Sequence, residues 1–172
     1  MLVEEHGWSL VAAGAALALL QATGAGARIF WGWVADRAGR GAIVLAALGA
    51  GSTLSAFGTA ALGSEASDAA TLGLLILFAA TAIGWNGVFL AEIARVAGPR
   101  SVGRATGAVM TVTFLGVMIG PALFTGLHAL LGGYGPAFAA MAAATALGAA
   151  SITRTLRAEP LDDALSRDAP LR

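Results

Sequence analysis

Five unbroken apolar stretches, at about residues 9–31, 42–62, 70–93, 105–131 and 136–152, constrain this chain more than any other feature it has. Each is close to the roughly 20 residues that carry a helix across a hydrocarbon core. Lipid offers no partner for a free peptide group, so a spanning segment must be a helix or a strand of a closed barrel. The stretches are continuous rather than alternating, which removes the barrel. With short loops they account for most of the 172 residues, leaving little for an aqueous domain. Composition agrees, since 58% of residues are hydrophobic and 12% charged, against about a quarter charged in soluble domains. The expected architecture is all-α: a polytopic helical membrane protein with five spans. The membrane domain covers 9–155, between an external N-terminus at 1–8 and a cytoplasmic polar tail at 156–172.

The placement of charge gives an expected orientation. All ten basic residues are arginines. Arg28, Arg37 and Arg40 surround the first loop, and Arg95, Arg100 and Arg104 the third. Arg154, Arg157, Arg167 and Arg172 follow the fifth stretch. The second loop holds Glu65 and Asp68 and no base, and the fourth, around Gly133 and Tyr134, holds no charge. Bases on alternate loops put those loops in the cytoplasm, which requires an odd number of spans, an outer N-terminus and a cytoplasmic C-terminus. Glu4 and Glu5 stand where a signal peptide would carry bases. The tail around Arg157, Glu159, Pro160, Asp162 and Asp163 is polar and is expected to be disordered.

One loop carries more specific information. Gly32-Trp33-Val34-Ala35-Asp36-Arg37-Ala38-Gly39-Arg40 has the pattern G-x-x-x-D-R-x-G-R. Gly32 and Asp36 are four apart and share a helix face. Gly32 admits a close neighbour, Asp36 suits the N-terminus of an adjacent helix, and Gly39 permits a tight reversal. Arg37 and Arg40 anchor the loop and can pair with acids. This loop resembles the signature of the major facilitator superfamily, where it follows the second helix of a six-helix half. The resemblance implies that Gly32, Asp36, Arg37, Gly39 and Arg40 form a gating latch between two halves. It also implies that the five stretches are an incomplete six-helix half lacking its first helix. They match the last five of twelve helices or the second to sixth. The segment from Ala91 to Gly107 looks like the loop before the eleventh helix and favours the last five.

Two further stretches fit the same family. Gly116, Gly120 and Pro121 in the fourth span form a G-x-x-x-G-P run, suited to close packing and to a bend. In the third span, Gly84-Trp85-Asn86-Gly87 places an amide deep in an apolar run, where polar groups tend to face a bundle interior or a water-filled cavity. By resemblance this span lines the central cavity, which makes Trp85 and Asn86 substrate-side candidates; the alternative is an interhelical hydrogen bond from Asn86 and a lipid-facing Trp85. Gln21 in the first span is a third, although interhelical packing is the favoured reading for it. Arg28 is expected to snorkel to the cytoplasmic interface, and Glu92 and Arg95 to pair at i, i+3. Ser52, Ser55 and Gly58 read as a packing stripe, and Thr111 and Thr113 as bonded to their own helix.

The function classes narrow accordingly. The resemblance implies a truncated secondary transporter of a small molecule, whose identity the sequence leaves open. The chain is not expected to be active alone, and a missing N-terminal half or partner chain would complete it. The alternative is a small membrane scaffold or subunit. No nucleophile–base pair, carboxylate pair or metal cluster marks an enzyme. No catalytic residue, metal or cofactor is assigned: there is no cysteine, and His6 and His128 are isolated. The bases are explained by topology, so the expected partner is the lipid bilayer and no nucleic acid.

Overall fold

The computed structural model describes the backbone of residues 1–62 and 66–167, with side chains as far as Arg154. Glu65 and Arg172 lie outside the described residues. The chain is helical, in the order α1 (Leu10–Ala38), α2 (Gly41–Ala61), α3 (Asp68–Ala82), α4 (Trp85–Ala97), α5 (Val102–Leu131) and α6 (Tyr134–Arg167). Five segments are long and apolar enough to cross a membrane, with α3 and α4 forming one of them, Asp68–Ala97. This is the expected five-span, all-α membrane architecture.

Local chemistry sets the helix ends. The Ser9 hydroxyl accepts from the Ala12 N–H at 3.1 Å and opens α1, and Ser67 does the same for α3 through Ala70 at 3.3 Å. Gly39 and Gly132 close α1 and α5 in the left-handed region, at φ 61° and 75°. The signature loop is therefore largely helical. Gly32 to Ala38 form the last turns of α1, and only Gly39 and Arg40 leave the helix. At the other end of the chain, α6 runs on to Arg167, where the tail was expected to be disordered. Its Ala, Leu, Arg and Glu residues are good helix formers, and they extend a helix already nucleated by the span before it.

Packing is made by small residues. A Cβ added at Gly49 would sit 2.8 Å from the Ala149 methyl, so α2 and α6 lie nearly backbone to backbone. Thr53 and Thr145 share a 3.1 Å hydrogen bond across the same interface. On the other side of α2, Gly51 meets Thr81 and Gly58 meets Leu74, while Ser55 and Thr59 are buried. The stripe expected in the second span is a real contact face, although Gly51 rather than Ser52 makes the closest approach. Near the signature loop, Ala35, Val44, Leu45, Leu48 and Val88 form an apolar core, flanked by Trp31, Trp85 and Phe89.

The fourth span is different. No residue of α5 is buried, and nothing described lies within 4 Å of a Cβ added at Gly116 or Gly120. The close packing expected for Gly116 and Gly120 is thus not made by any described helix. The helix runs continuously through Pro121. Thr111 and Thr113 do bond back to their own helix, at Gly107 and Val109.

Candidate functional site

The third span is interrupted near its midpoint by a local break in its hydrogen-bond ladder, with Ile83 and Gly84 still at right-handed helical backbone angles. Ile83 and Gly84 form a turn between α3 and α4, and no backbone hydrogen bond closes across it onto the carbonyls of Ala80 or Ile83. The break lies where α1 crosses, and glycines make the crossing close. A Cβ at Gly24 would lie 2.7 Å from the Ile83 side chain, and one at Gly87 3.2 Å from the Arg28 carbonyl. At Gly84 it would meet Trp31 at 2.8 Å and the Ala80 carbonyl closer still.

Helix α1 supplies the hydrogen bonds that the break removes. The Trp31 indole N–H donates to the Ala80 carbonyl at 3.1 Å. The Arg28 Nε–H donates to the Ile83 carbonyl across a long 3.4 Å. Arg28 therefore does not reach along its helix toward the signature loop, as a snorkelling residue would. A free carbonyl in low-dielectric surroundings is a stronger attractor than the distant interface. Neither Arg28 nor Trp31 stands out in the sequence as a partner of the third span. The small residues at 24, 84 and 87 were the available signal, because they mark a close crossing without naming the two helices involved.

The three substrate-side candidates fall in different places. Trp85 lines a mainly apolar cavity of about 260 Å³ between α2, the third span and α6, together with Leu48, Ser52, Thr81 and Thr145. Ser52 Oγ is buried there without a hydrogen-bond partner. The Asn86 side-chain oxygen is also buried without a partner, so the interhelical bond that would explain it as packing is not made. Gln21 is exposed on α1, away from that cavity. Trp85 and Asn86 directly follow the break as the first residues of α4, and Gln21 does not join them.

At the signature loop, Gly39 makes the expected reversal, donating its N–H to the Ala35 carbonyl at 3.0 Å. Arg37 stacks over Trp33 at 4.7 Å instead of pairing with an acid. Asp36 and Arg40 are exposed, and their side chains have no hydrogen-bond or ion-pair partner among the described residues, although the Arg40 carbonyl accepts from the Ile43 and Val44 N–H groups at the start of α2. Nothing lies within 4 Å of a Cβ at Gly32, so the neighbour it was expected to admit is not among the described helices. Glu92 and Arg95 pair as expected, at 2.5 Å, and the Glu92 carboxylate sits over Gly41 at the start of α2, where the helix dipole favours an anion. No group of three or more metal-ligating side chains occurs among the described residues.

These features coincide with what comparison with known proteins finds. The sequence model of the Major Facilitator Superfamily matches residues 1–171. An uncharacterized MFS-type transporter of Mycobacterium tuberculosis is 33% identical over 126 residues, covering 73% of this chain. The chain spans 28% of the length of that relative. No solved structure matches. A family match over nearly every residue, a multi-pass helical bundle and the loop closed by Gly39 lead to one conclusion: this chain belongs to the major facilitator superfamily.

Proposed function

We propose that the chain supplies five spans of a secondary transporter for a small molecule and does not transport by itself. The observation that carries this reading is the break in the third span beside the unpaired Asn86 oxygen. Membrane helices are interrupted at mid-depth where the freed backbone and polar groups face a substrate or ion path, and an orphaned buried acceptor is costly unless something else uses it. The exposed α5 and the open faces at Gly32 and Gly116 call for further helices, in the same protein or in a partner chain, to enclose a cavity. The alternating arginines favour an N-terminus outside and a C-terminus in the cytoplasm. In that completed assembly Asp36 and its loop act as a latch rather than as ligands.

The test compares cells overexpressing the intact gene with cells lacking it, following small-molecule distribution across the membrane by mass spectrometry. At least one solute is expected to shift, and Asp36→Asn is expected to abolish the shift without changing the protein level. The purified 172-residue chain in liposomes is expected to pass no such solute. Unchanged solute distributions would sink the transporter reading. Flux through the chain alone would sink the claim that it needs completion.

A further inference from the structure

We infer that Arg28 binds the charged group of the transported solute, and that this solute is a small anion carrying a carboxylate or phosphate. The inference rests on the transporter reading and adds its substrate class.

The exposed surface of α1 has two different faces. One carries Val11, Leu19, Ile29, Phe30 and Trp33, all exposed and bulky, as a lipid-facing surface should be. The other runs at helical spacing from Gly14 through Ala18, Gln21, Ala25 and Arg28 to Gly32. Leu17 and Ile29 stand at its two edges. All of these but Gly32 are classed as exposed, and Gly32 is partly so. A stripe of small residues interrupted by an amide and a guanidinium is a poor surface for lipid. It is an apt wall for an aqueous path, because ionisable groups inside a membrane face water-filled cavities or partners. Asp36 continues the same face one turn further, at the signature loop.

Arg28 lies eight residues before Asp36, about 12 Å along the helix axis. That places it within the apolar segment Leu10–Ala38 rather than in the loop. Its Nε–H is held on the Ile83 carbonyl at the break, which fixes the guanidinium at the crossing of α1 with the third span. No carboxylate lies within 4.0 Å of it among the described residues. Its remaining N–H groups make no hydrogen bond there either. A guanidinium fork with those donors open matches an oxyanion in two parallel bonds. The uncharged carbonyl of Ile83 orients the fork without neutralising it.

The experiment uses single cysteines, which are unique within these 172 residues because the chain has none. In membranes of cells expressing the intact gene, Ala25→Cys reports on the polar face and Phe30→Cys on the bulky face. Each is treated with methanethiosulfonate reagents carrying either a sulfonate or a trimethylammonium. The Ala25→Cys variant is expected to react and the Phe30→Cys variant not. The sulfonate-to-ammonium rate ratio at position 25 is expected to fall when Arg28→Gln is added and to persist with Arg28→Lys. Even about 10 Å of water between the charges makes that change roughly fourfold. High salt should collapse the ratio without any change at Arg28, which gives a reading if Arg28→Gln fails to fold. A reactive position 25 whose ratio ignores both Arg28→Gln and salt overturns the anion inference and leaves the transporter reading standing. An unreactive position 25 overturns the anion inference as well, because that face is then closed by lipid or protein, while the transporter reading still stands or falls on the solute distributions. In that case Arg28 serves a lipid phosphate or the break alone.

Discussion

At the scale of single residues, the crossing of α1 with the third span depends on what glycine lacks. A methyl group at Gly84 meets the Ala80 carbonyl and the Trp31 ring, and neither is the free end of a flexible chain. Gly84→Ala is expected to destabilise the detergent-solubilised protein by about 1–3 kcal/mol, as overpacking does. Gly107→Ala meets nothing within 4 Å and is expected to stay within about 0.5 kcal/mol. Thermal unfolding of the two variants separates these outcomes, and equal effects would show that the crossing is looser than described. Asn86 gives a prediction of opposite sign. Its side-chain oxygen is buried and unpaired, so Asn86→Leu, of similar volume, removes an unmet desolvation cost of about 1–3 kcal/mol. The variant is expected to melt higher and to carry less solute. A lower melting temperature would mean that the amide has a structural partner after all.

At the scale of elements, the end of the bundle opposite the signature loop is tied down by the first residues of the chain. The Trp8 indole donates to Asp68 at 2.8 Å, reaching the first residue of α3. The Tyr134 hydroxyl, at the start of α6, donates to Glu4. That bond first, and then the N-terminal ammonium 3.6 Å away, hold the Glu4 carboxyl below its ordinary 4.5. A carboxyl with a lowered folded value contributes above the ordinary value and loses that contribution as pH falls through the folded one. Residues 1–9 are therefore expected to be protected from protease at pH 6 and to become cleavable only as pH falls below 4.5 and through the lowered value. Tyr134→Phe should expose them at both pH values, whereas protection unchanged by the variant would show that Trp8 and Asp68 suffice. The sequence betrayed the spans more readily than this tether or the break. Continuous apolarity is a local property, so five helices could be counted from it, and Gly39 announced its own turn. The polar Asn86 within an apolar run pointed to the right part of the third span. The turn at Ile83–Gly84 could not be read, because the residues that compensate it, Arg28 and Trp31, are more than 45 positions away. The same limit applies to Trp8 and Tyr134, whose partners are set by which helix ends meet.

At the scale of the whole molecule, α5 is the span that packs least against the other described helices. The four other spans bury at least some residues against one another, but α5 presents Val112, Phe114, Val117 and Met118 at more than 60% exposure and Gly116 and Gly120 with open space above them. Lipid satisfies the bulky side chains, and Leu on lipid costs nothing. It gives no reason for glycines four apart, which pay off only when another backbone comes close. Helix α5 is therefore read as a contact surface for helices beyond those described, and its two glycines as the point of closest approach. Gly116→Leu separates this from a lipid-exposed role. In the isolated 172-residue chain the new side chain meets nothing, so thermal stability should change by no more than about 0.5 kcal/mol. In the product of the intact gene, or in a complex with the completing chain, the same substitution should overpack a filled interface and cost about 1–3 kcal/mol. On the proposed transporter reading, flux should fall with it. A Gly116→Leu variant that is neutral in both settings would place α5 against lipid, and the completing helices would then have to dock through the polar face of α1 instead.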